Sequence, residues 1–205
     1  MLTIVDYGVG NLASIQNMLK RIGIESNISS SEDSVLLAEK LILPGVGAFD
    51  TCASKLKDSG LLLALNKVVN EDKVPILGIC VGMQMMLESS EEGLLSGLGW
   101  IKGKVMRFKS SEMSKNLKIP HMGWTEVRLN KESRLFEKMH DEPRFYFVHS
   151  YHAATNDERD VLAYAYYGDK FVAAIEHENV LGVQFHPEKS HKFGMRLFEN
   201  FVNLY

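Results

Sequence analysis

A chain of 205 residues, 45% hydrophobic and 24% charged, has the length and composition of one globular domain with a buried core. Its net charge of −3 excludes a strongly basic, nucleic-acid-binding surface, and its two cysteines are too few for a disulfide scaffold. No apolar run approaches the roughly 18 residues that span a bilayer, and the first residues lack a signal peptide's basic region. We expect a single domain, 1–205, in the cytoplasm, without nucleic-acid or membrane partners.

The first half of the chain alternates between strand and helix patterns. Apolar runs predict strands at 2–5, 24–28 and 74–79, and 41–47 is predicted as a strand that runs into a glycine-rich turn. Apolar residues at helical spacing predict helices at 11–21, 31–39 and 48–70, the last with a break near Gly60. Strands that alternate with helices indicate a parallel sheet that helices cover on both faces.

The second half is richer in short β-type runs. They predict strands at 100–108, 125–129, 144–148, 161–167, 171–176 and 181–185. A final helix is predicted at 193–204, and 109–118 is the most loop-like segment. The fold class expected is α/β, with a flavodoxin-like, doubly wound, mostly parallel sheet and an antiparallel β extension in the second half.

The segment GICVG (78–82) has the pattern of a nucleophile elbow, with Cys80 in the place of the more usual Ser. Glycines two residues before and after Cys80 permit a sharp turn, and a helix beginning near Gly82 brings its positive N-terminus to the sulfur. That arrangement favours the thiolate. Most buried cysteines are inert, however, so this segment alone leaves catalysis and close packing equally open.

A base for Cys80 is available in VQFHPEKS (183–190). We expect a strand to end at His186; in extended chain Glu188 then lies on the same side, about 6.5 Å further along. Glu188 would fix the tautomer of His186 and stabilise the imidazolium formed during proton transfer. An exposed His followed by solvated charges is the commoner arrangement, but strand ends are where open α/β sheets gather functional groups.

A third strand end carries LPGVG (43–47). Gly45 and Gly47 leave the backbone N–H groups around Val46 able to point into the crevice. With the N–H of Val81, they would form an oxyanion hole for a tetrahedral intermediate. A Pro-Gly turn without a chemical role is the alternative.

Other functions remain open from the residues alone. The segment 8–13 fits the dinucleotide-binding pattern G-x-G-x-x-G/A of an oxidoreductase, although the acidic residue expected about 20 positions on is missing. A Cys-His-Glu peptidase would share the triad, and a non-catalytic interaction domain would share the fold. A metal site is a further alternative, without a supporting spacing pattern, and its ligands would come from His149, His152, His177, His186 and His191.

Eight motifs together resemble the class I, triad-type glutamine amidotransferases, and most closely those that serve imidazole glycerol phosphate synthase. They are DYGVGN (6–11), LPGVGAF (43–49), GICVGMQ (78–84), SSEEG (89–93), GLGW (97–100), PHMGW (120–124), FYFVHSYH (145–152) and GVQFHPEKS (182–190). The resemblance implies that Cys80, His186 and Glu188 are the triad, and that Val46 and Val81 donate the oxyanion N–H groups. It implies no metal and no cofactor. The groups expected to hold L-glutamine are Gln84, Glu92, Ser150 and Tyr151.

The resemblance also implies a heterodimer with a (β/α)8 cyclase, which receives the ammonia and makes imidazole glycerol phosphate and aminoimidazole carboxamide ribotide in histidine biosynthesis. Glutaminase activity is expected mainly in that complex. The residues expected at or near the interface are Asn11, His121, Met122, Trp124, Tyr146 and Lys189. Val81 and Thr125 stand where Leu and Asn are usual, and the tail at 190–201 looks more like relatives that feed a sugar amidotransferase in bacterial surface-polysaccharide synthesis. The ammonia acceptor therefore stays open.

Overall fold

The computed structural model describes residues 1–109 and 117–205, and in them twelve strands form the sheet. The strands are β1 (Leu2–Val5), β2 (Ser26–Ser29), β3 (Lys40–Gly45), β4 (Ile76–Cys80), β5 (Ser89–Ser90), β6 (Gly103–Arg107), β7 (His121–Leu129), β8 (Arg144–His149), β9 (Tyr151–Thr155), β10 (Val161–Tyr167), β11 (Asp169–His177) and β12 (Val180–Val183). The helices are α1 (Leu12–Arg21), α2 (Glu32–Leu36), α3 (Phe49–Asp58), α4 (Leu62–Asn66), α5 (Val81–Met85) and α6 (His191–Leu204).

The sheet has a parallel half and an antiparallel half. Strands β2, β1, β3, β4 and β12 lie side by side in that order, and all four pairings are parallel. Strand β12 then pairs with β11, followed by β10, β7 and β8, all antiparallel. The doubly wound order with an antiparallel extension confirms the predicted fold class. It also brings the carboxyl ends of β3, β4 and β12 to one edge.

The parallel strands are apolar because both of their faces are covered. Every residue of β1 and β4 is buried, as expected for strands with helices on both sides. Helix α6 contributes Leu197, Phe198 and Phe201 to the core at helical spacing. None of the helices in the described ranges has the length and apolarity needed to cross a membrane.

Several predicted boundaries differ from the structure. The predicted helix 48–70 is divided, with Gly60 at φ +79° between α3 and α4 and a π-helical turn, Lys67–Glu71, after α4. Strand β7 begins four residues before the predicted start, and β12 ends two residues before the predicted end. Strands β5 and β9 were not predicted, because neither has an apolar alternation. Of the predicted loop 109–118, residues 110–116 lie outside the described residues.

Candidate active site

Cys80 ends β4 in a sharp turn into α5. Its backbone has φ +56° and ψ −114°, a strained combination for a residue with a side chain, so the surrounding structure holds it there. A side chain at Gly82 would strike the carbonyl oxygen of Leu43 on β3. One at Gly78 would lie 2.8 Å from the backbone nitrogen of Met83. The two glycines thus allow the predicted turn.

His186 and Glu188 form a buried pair just beyond the end of β12. Nδ1 of His186 lies 2.8 Å from Oε1 of Glu188, and the side chains are 4% and 1% exposed. A 3-10 turn, Pro187–Lys189, returns Glu188 to the imidazole. The predicted contact is present, but the predicted extended route between the two residues is wrong, because the proline starts a helical turn.

Backbone contacts with β8 hold this turn in place. The N–H of His186 donates to the carbonyl of Tyr146 at 2.9 Å. The hydroxyl of Ser190 donates to the carbonyl of His186 at 2.6 Å and accepts the N–H of Tyr146 at 3.0 Å. The imidazole is therefore positioned from its own backbone as well as by Glu188.

The second ring nitrogen of His186 is directed away from Glu188. Nε2 is buried and has no hydrogen-bond partner among the described residues. Burial acts to lower the pKa of His186, but interactions with Cys80 and Glu188 outweigh burial and raise that pKa above its usual value. A ring that interacts with Cys80, with one nitrogen held by a carboxylate and the other unpaired, is arranged to exchange a proton with the thiol.

Gln184 is a neighbour of Cys80 that the sequence analysis missed. Its side chain is fully buried, and Nε2 donates to the sulfur of Cys80 at 3.8 Å. Its Oε1 accepts from Nε2 of Gln84 at 3.0 Å. The signal available in the sequence was a polar residue two positions before His186 in an otherwise apolar run.

The loop after β3 lies beside the elbow. A side chain at Gly45 would strike the backbone nitrogen of Gly82, so β3 and α5 meet without room for a Cβ. Beyond Gly45, Val46 is exposed and Gly47 has φ +89°. The thiol of Cys52 on α3 donates to the carbonyl of Val46 at 3.4 Å, and burial raises the pKa of this thiol, which keeps the donor protonated.

These elements enclose a cavity of about 370 Å³, a volume suited to a small ligand. It is lined by Val46, Gly47, Cys80, Val81, Gln84, Glu92, Pro120, Val148, His149, Ser150, Tyr151, His186 and Lys189. A second cavity, of about 350 Å³, lies between α3, α5 and residues 95–98, and neither cysteine nor histidine lines it. The first cavity is therefore the candidate active site.

The family model described as glutamine amidotransferase class-I matches residues 3–204. The chain belongs to the class I glutamine amidotransferases. Two curated relatives are named imidazole glycerol phosphate synthase subunit HisH 2: one from Methanococcus maripaludis (48% identical, covering 98% of both chains) and one from Pseudomonas aeruginosa (49%, covering 100% of both). A third, from Leptospira borgpetersenii, is named subunit HisH and is 47% identical over 100% of both chains. The predicted resemblance is confirmed.

Solved structures agree on the fold of this amidotransferase. A structure titled glutamine amidotransferase aligns with a TM-score of 0.72 at 22% identity, covering 98% of this chain and 97% of the other. The structure of PurLQS from Thermotoga maritima aligns with a TM-score of 0.71 at 19% identity, with the same coverage. At such identities the likeness describes the fold alone.

In this amidotransferase, all four residues predicted to hold the substrate line the cavity. One carboxylate oxygen of Glu92 accepts the N–H of Phe49, the first residue of α3, at 2.8 Å. Nε2 of Gln84 donates to the carbonyl of Tyr151 at 3.1 Å. Ser150 and Tyr151 lie where β8 passes into β9.

Five of the six residues predicted at the partner interface are at least partly exposed. Met122 and Trp124 of β7 are 62% and 45% exposed. The ring of Trp124 lies 6.3 Å from that of Tyr146, over which Lys189 places its ammonium at 5.6 Å. Asn11 is exposed just before α1.

His121 lies beneath this surface. It is 1% exposed, and its place at or near the interface stays a prediction. Neighbouring residues of a strand point to opposite faces, so Met122 and Trp124 point outward where His121 points inward.

The residues behind the alternative functions have other contacts. A side chain at Gly10 would lie 2.9 Å from Cβ of Pro44. Close packing therefore explains why this position of the dinucleotide-like pattern is a glycine. Among the proposed metal ligands, His149 lies 2.9 Å from His121, and His177 lies 2.8 Å from Asp160. Each of these rings is hydrogen-bonded within the fold.

Proposed function

We propose that this chain is the glutaminase subunit of an imidazole glycerol phosphate synthase, with Cys80 as nucleophile, His186 as acid and base, and Glu188 as the residue that orients the imidazole. The single observation that supports this most is the buried His186, held by Glu188 at Nδ1 and unpaired at Nε2, in the cavity that contains Cys80. The names of the full-length relatives support the synthase.

The first half-reaction releases ammonia. The Cys80 thiolate attacks the side-chain amide carbon of glutamine, a C–S bond forms, and the amide oxygen becomes an oxyanion. The backbone N–H groups of Val46 and Val81 stabilise that oxyanion. The imidazolium of His186 then protonates the leaving nitrogen, the C–N bond breaks, and a thioester remains.

The second half-reaction restores the enzyme. Neutral His186 takes a proton from water, the hydroxide adds to the thioester carbon, and the C–S bond breaks. Glutamate leaves, and the thiolate–imidazolium pair is regenerated. Throughout, Glu188 holds Nδ1 of His186 protonated, so that Nε2 carries every proton transfer.

Four residues hold the amino-acid end of L-glutamine in this proposal. The carboxylate of Glu92 pairs with the substrate ammonium. Gln84 and the 150–151 segment bind the rest of the amino-acid group, because they line the cavity beside Cys80.

Ammonia passes to a (β/α)8 cyclase in a heterodimer, where imidazole glycerol phosphate and aminoimidazole carboxamide ribotide are made. The partner docks on the exposed face that carries Met122, Trp124, Tyr146 and Lys189, with Asn11 nearby, and its binding activates the glutaminase. Both cysteines are free thiols, which suits the reducing cytoplasm, and we infer that the complex works there.

Replacing the nucleophile tests this function. Cys80→Ala in the complex should abolish glutamine-dependent product, because the thioester no longer forms, while product made from added ammonium salt stays at the wild-type rate. Both rates are read from imidazole glycerol phosphate formation. Loss of the ammonia-dependent rate as well would contradict the division of labour between the subunits.

A second candidate shares the glutaminase chemistry and differs in the acceptor. The tail at 190–201, which includes most of α6, resembles relatives that supply a sugar amidotransferase in surface-polysaccharide synthesis. Complementation of a histidine auxotroph that lacks its glutaminase subunit separates the two. Growth supports the histidine pathway, and failure with an active triad supports the sugar acceptor.

A further inference from the structure

Three side chains form an unbroken hydrogen-bond chain beneath the exposed face of β7. Oγ1 of Thr125 lies 2.9 Å from Nε2 of His121, and Nδ1 of His121 lies 2.9 Å from Nε2 of His149. Nδ1 of His149 lies 2.8 Å from the carbonyl oxygen of Tyr151. Both imidazoles are buried, so water does not compete for these bonds.

The last acceptor determines the direction of the whole chain. A carbonyl oxygen only accepts, so Nδ1 of His149 carries the proton, and Nε2 of the neutral ring is an acceptor. His121 must then donate from Nδ1, which leaves its Nε2 as the acceptor for the hydroxyl of Thr125. Both histidines are therefore neutral Nδ1–H tautomers.

The surroundings favour this charge state. The ring of His121 stacks on Tyr167 at 4.0 Å and on Phe147 at 5.0 Å. Burial lowers the pKa of His121 to about 4 and that of His149 to about 3, so neither ring is charged near pH 7. A proton added to either ring would turn one acceptor nitrogen into a donor and break the chain.

The hydrogen-bond chain ends at the active-site cavity. The carbonyl of Tyr151 accepts from His149 and also from Nε2 of Gln84, so one oxygen joins two of the groups proposed to hold glutamine. His149, Ser150 and Tyr151 are consecutive cavity-lining positions: His149 ends β8, and Tyr151 begins β9.

We infer that Thr125, His121 and His149 are positioning residues for the glutamine site, because their one-directional hydrogen-bond chain fixes the 150–151 segment and, through the Tyr151 carbonyl, the side chain of Gln84. The effect on glutamine rests on the proposed function; the direction of the chain does not. These hydrogen bonds hold substrate-binding groups rather than the reacting atoms. Losing them therefore affects KM for glutamine rather than kcat.

Thr125→Val tests the first hydrogen bond of this series, because it removes the donor hydroxyl and keeps the shape of the side chain. In the complex it should raise KM for glutamine about tenfold, the scale of one buried hydrogen bond left unmade, with kcat within about twofold of wild type. Thr125→Ser keeps the hydroxyl and should restore the wild-type KM. Thr3→Val is the matched control: Thr3 is fully buried on β1, its hydroxyl has no partner among the described residues, and KM should not change.

Nitrogen-15 NMR of the full-length chain tests the direction without any activity. Spectra at neutral pH should show both His121 and His149 protonated at Nδ1 and unprotonated at Nε2, and Thr125→Val should shift the His121 signals. An Nε2–H or doubly protonated ring at either position overturns the inference. So does an unchanged KM in Thr125→Val. A wild-type complex without glutaminase activity would contradict the proposed function instead, and the NMR result would still decide the direction of the chain.

Discussion

The parallel and antiparallel halves of the sheet supply the cavity in different ways. The parallel half supplies Cys80 and the His186–Glu188 pair from the ends of β4 and β12, which are neighbouring strands. The antiparallel half supplies Ser150 and Tyr151, where β8 passes into β9, and outside the cavity it carries the exposed Trp124 on β7. Under the proposed function, one half contributes the reacting groups, and the other contributes the groups that hold substrate and partner.

The two halves also differ in what determines each side chain's position. In the parallel half, topology brings the strand ends together, and backbone contacts such as those around Gly82 leave no alternative placement. In the antiparallel half, a shift of one residue exchanges the two faces of a strand, so the facing of His121 and Trp124 depends on register. The reacting groups are therefore rigidly placed, whereas the contact groups depend on side-chain hydrogen bonds.

The largest effect is expected in the parallel half. Gly82→Ala places a Cβ against the carbonyl oxygen of Leu43, and neither backbone can move without disturbing β3 or the elbow. We expect a loss of about 3 kcal/mol in the free energy of unfolding, measured by urea denaturation. Gly60→Ala is the control: it has open space, and its positive φ alone should cost about 1 kcal/mol. Equal losses in both variants would contradict a rigid elbow.

A smaller effect is expected on the antiparallel side. Trp124→Ala removes a large exposed ring that lies against Tyr146 and His191. It leaves the buried hydrogen-bond chain beneath β7 untouched. Affinity for the synthase partner should fall by about 2 kcal/mol, or about 30-fold in Kd by titration calorimetry. Leu37→Ala, which truncates a side chain that is 80% exposed beside α2, should leave Kd unchanged. An unchanged Kd in Trp124→Ala would remove this face from the interface.

A third expected effect is a pH dependence of stability that arises in the parallel half. Because the pKa of His186 is raised in the folded state, folding favours its protonated form. This stabilisation is complete below about pH 6.5, the ordinary value for histidine, and is lost as the pH rises through the higher value of the folded state. The free energy of unfolding should therefore fall above pH 6.5, and it should fall less in Cys80→Ala. Identical slopes would show that Cys80 does not influence the ring.

Local patterns were sufficient to predict the elbow. The glycines at 78 and 82 flank Cys80 closely enough that the sequence alone indicates a turn too tight for side chains, and the structure contains that turn. The partnership of His186 with Glu188 was predicted too, although by an extended route that the structure replaces with a 3-10 turn.

Features that depend on distant contacts could not be predicted. Gln184 looks like one polar position in a strand, and its contact with Cys80 arises only because β12 pairs with β4. His121 stands in a motif with two exposed residues, and its burial follows from the extent of β7, which begins four residues earlier than its apolar pattern suggests. Strand β9 lacks an apolar alternation of its own, and its pairing with β6 and β11 is a contact that its local sequence does not indicate.

The loop after β3 is held by contacts at both of its ends. At one end Gly45 packs against the backbone of Gly82 without space for a Cβ, and at the other the N–H of Phe49 donates to the carboxylate of Glu92. Only the three exposed residues 46–48 lie between these anchors, and Gly47 has open space around it. The loop that we propose carries an oxyanion donor is thus a span of three residues, and one of its anchors is the carboxylate that we propose receives the substrate ammonium. Under the proposed function, substrate binding and the position of this loop therefore depend on one carboxylate, that of Glu92.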